Sequence, residues 1–250
     1  ILINVINGSY SSDYVIHCID NDFPEITITH KEETVDNGFF IISPRFTLNE
    51  SSLTYLLIID ENGVPRYRNK INGIATDFKR HKNGQYSYAQ RTVRNDFGHW
   101  DNEIVLLNVS FQETDRLQTV GLNHTDNHDF LITDDDTYIM MSYNSAYRDL
   151  SPYGLSANEL TRDSVIQEIS KTGEVLLEWN SFDHVDIGDC TQHRWPDDYA
   201  HINAVSISAD DHLVLSLRGC SQILKIDRFT AETIWQIGGS NPDLIIFNDF

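Results

Sequence analysis

Two hairpin patterns alternate along this chain of 250 residues, and that alternation constrains its fold more than any other feature. The first runs from Thr76-Asp77-Phe78 through Lys82-Asn83-Gly84 to Tyr86-Ser87-Tyr88. It returns as His128-Asp129-Phe130, Asp134-Asp135-Asp136 and Tyr138-Ile139-Met140, then as His201-Ile202-Asn203, Ala209-Asp210-Asp211 and Leu213-Val214-Leu215. The second ends on an aromatic residue: Ile59-Asp60-Glu61-Asn62-Gly63 leads to Tyr67, Ile169-Ser170-Lys171-Thr172-Gly173 to Trp179, and Ile226-Asp227-Arg228-Phe229-Thr230 to Trp235. Short apolar or alternating runs bounded by Asp, Asn and Gly are strand and turn signals. Two such hairpins make a four-stranded unit, and units repeated in this way stack as the blades of a β-propeller.

Phe78 and Phe130 are 52 residues apart, and Phe130 and the matching Val205 are 75 apart. A minimal blade needs only about 40–45 residues, so the excess falls in inserts at Asn144–Arg162 and Phe182–Tyr199. Inserts of this kind gather on one face and carry function. Ile74–Gly239 therefore reads as three blades and Phe39–Lys70 as part of a preceding one, about three and a half in all. The domain expectation is a propeller over 31–250, C-terminally incomplete, with 1–30 as the end of an N-terminal β domain or a lead-in strand. Helical periodicity is confined to Ser156–Asp163.

Charge limits the partners. With 18 basic and 38 acidic side chains the net charge is −20, a field that repels nucleic acid and anionic lipid. Apolar runs such as Leu56–Ile59 are far shorter than the ~20 residues of a membrane-spanning helix. Cys18, Cys190 and Cys220 allow one internal disulfide, and Cys190 with Cys220 is the favoured pair because both lie in one repeat unit; three buried thiols is the alternative. The N-x-S/T sequons at Asn7, Asn49, Asn108 and Asn123 are as many as such a composition gives by chance.

Polar residues at the starts of innermost strands converge at one mouth of a propeller. The repeat places Asp77, His128 with Asp129, and His201 with Asn203 within two positions of a common register, and Arg218 ends the second strand of the last blade. Two imidazoles and a guanidinium suit an anion such as sulfate, phosphate or carboxylate. Each histidine also has a structural reading, and Asp77 and Asp129 read first as carboxylates that fix blades through backbone N–H groups. His184, in an insert, reads as active-site rim or surface loop. His99-Trp100-Asp101 and Gln192-His193-Arg194-Trp195 could line an aromatic pocket. No metal is expected, because His124, His128, His184 and His201 lack ligand spacing. Nucleotide-loop and G-x-S-x-G signatures are absent.

The string His201-Ile202-Asn203-Ala204-Val205, Leu215-Ser216-Leu217-Arg218, Ile223-Leu224-Lys225-Ile226-Asp227 and Ile234-Trp235-Gln236-Ile237-Gly238-Gly239 resembles the arylsulfotransferase family. So do His17-Cys18-Ile19-Asp20-Asn21-Asp22-Phe23-Pro24, Tyr55–Asp60, Asn127–Ile132 and Val175–Trp179. The resemblance implies a six-bladed propeller with a small β domain and a secreted or periplasmic protein. It also implies cofactor-free, ping-pong sulfuryl transfer from an aryl sulfate to a phenol through a sulfohistidine. It makes His128, His201 and Arg218 catalytic; the register and the insert add Asn203, Asp129 and His184 as substrate-binding candidates, and a homo-oligomer is compatible with it. The family nucleophile falls after the Trp-x-x-Gly-Gly stretch and a further Phe-containing stretch. Residues 1–250 alone are therefore expected not to turn over, and His184 is the first suspect for a substitute. A quinoprotein dehydrogenase, suggested by Asp227–Trp235, and a non-catalytic extracellular binding propeller are the rival readings.

Overall fold

The computed structural model describes residues 2–15, 18–32, 38–48, 51–94, 100–190 and 196–239. Three consecutive four-stranded antiparallel sheets follow the order of the chain. The first holds β7 (Ala75–Arg80), β8 (Tyr86–Arg94), β9 (Trp100–Leu107) and β10 (Glu113–Leu117). The second holds β11 (Thr125–Ile132), β12 (Tyr138–Arg148), β13 (Glu159–Ile169) and β14 (Val175–Asn180), and the third holds β15 (Ile202–Ile207), β16 (Leu213–Leu217), β17 (Gln222–Ile226) and β18 (Thr233–Ile237). Before them, β3 (Phe39–Ile42) and β4 (Arg45–Leu48) both pair with β5 (Ser51–Asp60), which also pairs with β6 (Pro65–Asn72). A separate hairpin joins β1 (Leu2–Asn7) to β2 (Tyr10–Val15).

The sheets are buried face to face, as propeller blades are. Leu56 and Ile58 of the β3–β6 sheet pack on Phe78, Tyr88 and Val105 of the next. Ile104 and Leu106 on the other face of that sheet meet Phe130, Ile132 and Met140. Ile139, Ile166 and Trp179 in turn meet Ile202, Val205, Leu215 and Leu224. Period-two alternation turns apolar side chains to both faces of the β7–β10 and β11–β14 sheets, and the flanking sheets cover them. Innermost strands β7, β11 and β15 lie next to one another. The fold is all-β and propeller-like, as the hairpin alternation implies.

Blades are also tied by charge. Arg228 Nε and a terminal guanidinium nitrogen donate to the two oxygens of Glu168 at 2.7 and 2.6 Å, a bidentate pair across the last two sheets with both side chains buried. That gives the Asp227–Thr230 turn a structural duty.

Two local expectations are corrected. Ser156–Asp163 is not a helix: Glu159–Asp163 belong to β13, because every residue from Glu159 to Ile169 pairs with β12, and this ladder outweighs local helical propensity. Glu25–Thr29, within the 1–30 stretch expected to hold the end of a β domain or a lead-in strand, is irregular, and Phe23 and Ile26 instead cover Leu53, Tyr55 and Leu57.

Candidate functional site

Each innermost strand has a β-bulge at the end where it begins. The register shifts between Thr76 and Lys79 in β7, between Thr125 and Phe130 in β11, and between Ile202 and Ala204 in β15. Bulges break the in–out alternation and re-aim side chains, and they recur beside active sites. Here they release Asp77, the Asp126–Asp129 stretch and Asn203 from the ladder.

His128 and His201 meet at this mouth, their rings edge to face with centroids 5.6 Å apart. A buried carboxylate stands behind each. Asp126 accepts from His128 Nδ1 at 2.7 Å and from the His128 backbone N–H at 2.8 Å, and Asp198 accepts from His201 Nδ1 at 2.6 Å. The histidine side chains are 37% and 13% exposed and the two aspartates 6% and 5%, so the imidazoles point outward from carboxylates fixed beneath them. A carboxylate on Nδ1 holds that nitrogen as the donor and leaves Nε2 for chemistry. The bond to Asp126 raises the His128 pKa against the opposing effect of burial, favouring imidazolium. Arg218 reaches the pair with a guanidinium nitrogen 3.5 Å from His201 Nε2.

Sequence alone pointed to neither carboxylate. Their signal is a short Asp-to-His spacing, two residues to His128 and three to His201. Reach over three residues depends on His201 having a left-handed φ of +45°. A non-glycine residue there costs about 1–3 kcal/mol and persists only when its surroundings dictate it. The His201 carbonyl accepts from Arg218 N–H at 3.0 Å, and Ile202 N–H donates to the Ser164 hydroxyl at 3.2 Å. Tyr143, from the neighbouring blade, donates its hydroxyl to the Ile202 carbonyl at 2.9 Å and lays its ring 5.9 Å from that of His201. Burial pushes the Tyr143 pKa well up, so the phenol stays a donor.

Arg218 opens a short 3-10 turn, Arg218–Cys220, that crosses the chain before His201. Gly219 is needed there: a Cβ would lie 1.8 Å from the Tyr199 carbonyl oxygen, while the Gly219 N–H donates to the Ala200 carbonyl at 2.9 Å. A disulfide joins Cys220 to Cys190 and so fastens the turn to the insert after β14. Cys18 is exposed and unbridged, so the reading of three buried thiols is overturned.

The remaining expected residues divide. Asn203 lies in the β15 bulge with its amide oxygen buried and without a hydrogen-bond partner among the described residues. Asp129 ties blades together: one oxygen pairs with Lys79 and the other accepts from Val205 N–H at 3.0 Å. Both of its oxygens are engaged within the fold. Asp77, with φ +53°, also pairs with Lys79, at 2.8 Å. Burial outweighs that lysine, and the carboxylates of Asp129 and Asp126 add to it, so the Asp77 pKa rises to about 7. His184 ends α1 (Ser181–His184), its ring stacked 5.6 Å over Trp179 of the outermost strand β14. Three strand spacings, about 14 Å, separate that strand from β11, and the structure does not bring His184 into the histidine pair. Trp100 lies under the Arg91 guanidinium and Asp101 accepts from Thr125 N–H, whereas His99 and Gln192–Trp195 lie outside the described residues. No cluster of His, Cys, Asp or Glu among the described residues is arranged to hold a metal.

Propeller blades with a guanidinium and two carboxylate-backed imidazoles at one mouth define a class: an all-β protein whose mouth can receive an oxyanion. The chain belongs to the arylsulfotransferase family, whose sequence pattern it matches over residues 25–242. No curated protein matches it. Among solved structures it is similar to a protein of unknown function from Bacteroides caccae, with 10% identity and a TM-score of 0.45 over 75% of this chain and 55% of that one. Hydrazine synthase from Kuenenia stuttgartiensis matches with 12% identity and a TM-score of 0.44 over 71% and 49%, and a luciferin-regenerating enzyme with 12% and 0.45 over 83% and 65%. The chain thus spans about half to two thirds of the length of these structures.

Proposed function

We propose that the protein transfers a sulfuryl group from an aryl sulfate to a phenol by a ping-pong route, with a histidine carrying the group between two half-reactions. The observation that carries this reading is the joining of Arg218, His201 and His128 at one mouth, with Asp198 and Asp126 fixing both imidazoles. In the first half-reaction an imidazole nitrogen forms a bond to sulfur while the bond from sulfur to the aryl oxygen breaks. The aryl group leaves as phenolate. Negative charge builds on that oxygen, and fixed donors matter most there, at about 3–4 kcal/mol for one well-placed group. Arg218 supplies a permanent positive charge, and His128, favoured as imidazolium, supplies a proton to the leaving oxygen. In the second half-reaction the acceptor oxygen bonds to sulfur, its proton passes to the now neutral imidazole, and the nitrogen–sulfur bond breaks.

By the family resemblance, the imidazole that carries sulfur is neither His128 nor His201. The Cys190–Cys220 bridge supports a secreted or periplasmic protein, since such bonds persist in oxidising compartments. The test is intact-mass measurement of the full-length protein exposed to a chromogenic aryl sulfate without acceptor. A gain of one sulfuryl group with one equivalent of phenol released, slowed in His201→Ala, is the expected result. Absence of both from folded protein refutes the transferase and leaves a ligand-binding propeller.

A further inference from the structure

Register can be followed from the turns at the opposite end of the blades. Asp60, Asn108, Ser170 and Asp227 each donate a backbone N–H across such a turn, to Val64, Gln112, Glu174 and Glu232. Six residues before each along its strand stand Thr54, Asn102, Ser164 and Ser221. Thr54 faces Arg45, Asn102 faces Arg91 and Ser164 faces Tyr143; Ser221 stands beside Arg218, next to the Leu217–Gln222 pair. One level of the four successive units therefore carries Arg45, Arg91 and Tyr143 on sheet rungs and Arg218 one step past the last rung, at the end where His128 and His201 lie.

Tyr143 and Arg218 serve His201 at this level, but Arg45 and Arg91 are different. The chain has 38 acidic against 18 basic side chains, and Arg116, Arg148, Arg162 and Arg228 all pair with carboxylates. Neither Arg45 nor Arg91 has a carboxylate partner among the described residues. Arg91 Nε is buried with no acceptor, and the guanidinium lies 5.0 Å above the ring of Trp100, which is 45% exposed. Burial lowers the Arg91 pKa, and Arg45 is near enough for its charge to lower it further. Two neighbouring like charges and an orphaned donor are unfavourable alone and are relieved by a shared anion.

We propose that Arg45 and Arg91, beside Trp100, form a second oxyanion subsite at this mouth, taking a carboxylate, sulfate or phosphate at the far end of the ester whose reacting sulfate lies at Arg218. The substrate class is then an aryl sulfate with a second anionic substituent. The naming of the reacting ester rests on the proposed transferase reading; the subsite itself does not.

Calorimetric titration of the full-length protein with inorganic sulfate is the first test. Two sites are expected in the wild type; Arg45→Gln/Arg91→Gln should keep only the Arg218 site, and Arg218→Gln only the other. Near-ultraviolet circular dichroism verifies folding, and Arg91→Lys should restore part of the lost binding. The second test compares phenyl sulfate with one-ring and two-ring aryl sulfates bearing a terminal carboxylate. At least one should bind about tenfold more tightly than its uncharged counterpart, the gain of one charge-assisted contact, and lose that advantage in Arg45→Gln/Arg91→Gln. Sulfate binding indifferent to the double substitution overturns the subsite, and a subsite that binds sulfate but favours no dianionic ester overturns the substrate class. Sulfate held at Arg45 and Arg91 by a protein that releases no phenol from any ester keeps the subsite and sinks the transferase.

Discussion

Removal of the Cys190–Cys220 bridge by a double change to alanine tests how Arg218 and His201 are held. The two cysteines are 30 residues apart in sequence. Closing a loop of that length removes about 12 cal/mol/K of entropy from the unfolded chain, or about 3.6 kcal/mol at 25 °C. Both cysteines are buried beside Tyr199, Ala200 and Leu217, so the native state has little room to relax and recover that loss. For a chain of this size the loss corresponds to a fall of about 7–14 °C in Tm, at about 2–4 °C per kcal/mol. Urea unfolding followed by tryptophan fluorescence, with the transition midpoint and slope fitted together, gives the free energy. Because Cys220 is two residues from Arg218, sulfate affinity should fall in the same variant while the blade cores stay folded. A change in stability below about 1 kcal/mol refutes the reasoning: packing of the insert around Tyr199 and Ile187 would then hold the turn unaided.

Three further outcomes follow from the same geometry. Gly219→Ala should lower stability by about 2–4 kcal/mol, since its Cβ would lie 1.8 Å from a backbone oxygen that cannot swing aside; equal thermal melts for the two proteins would contradict this. Asp198→Asn should slow phenol release by about 10–100-fold and alter its pH profile without changing the melt, because the amide can present its N–H to Nδ1 and favour the wrong tautomer; an unchanged pH profile would deny Asp198 its positioning role. Asp77 has a folded pKa of about 7 against the ordinary 3.8, so the native state retains a proton that the unfolded chain has released. Its contribution is complete below about pH 4 and is lost as the pH rises to about 7. Asp77→Asn should flatten that decline and be the more stable protein at pH 8, as urea titrations across this range will measure.

The histidine pair was legible because the hairpin repeat numbers every innermost strand alike, and a residue at the same step of each strand must reach the same mouth. Asp129 and His184 show the limit of that logic. Step along the strand says which end of the blade a residue occupies, but a bulge decides which way it turns, and the one in β11 delivers Asp129 to Lys79 and Val205. His184 belongs to an insert on no register at all, and the ring of Trp179 set its place. Ser156–Asp163 looked helical because local propensity was the only information there, whereas the β12 ladder lies outside any local window.

From the sequence by itself came the blade repeat, the net negative charge, the family, and the two histidines with Arg218. All of these are carried by periodicity, composition or contiguous motifs, which survive without coordinates. Tertiary structure alone decided which carboxylates stand behind the imidazoles, how Gly219 and the disulfide fasten Arg218, and that Arg45 and Arg91 share a level with it. The two carboxylates lie only two and three residues from their histidines, whereas the other relations join residues about 20 or more positions apart. Their geometry is set by bulges, a left-handed turn and side-chain packing, whose energies depend on neighbours that sequence order does not reveal.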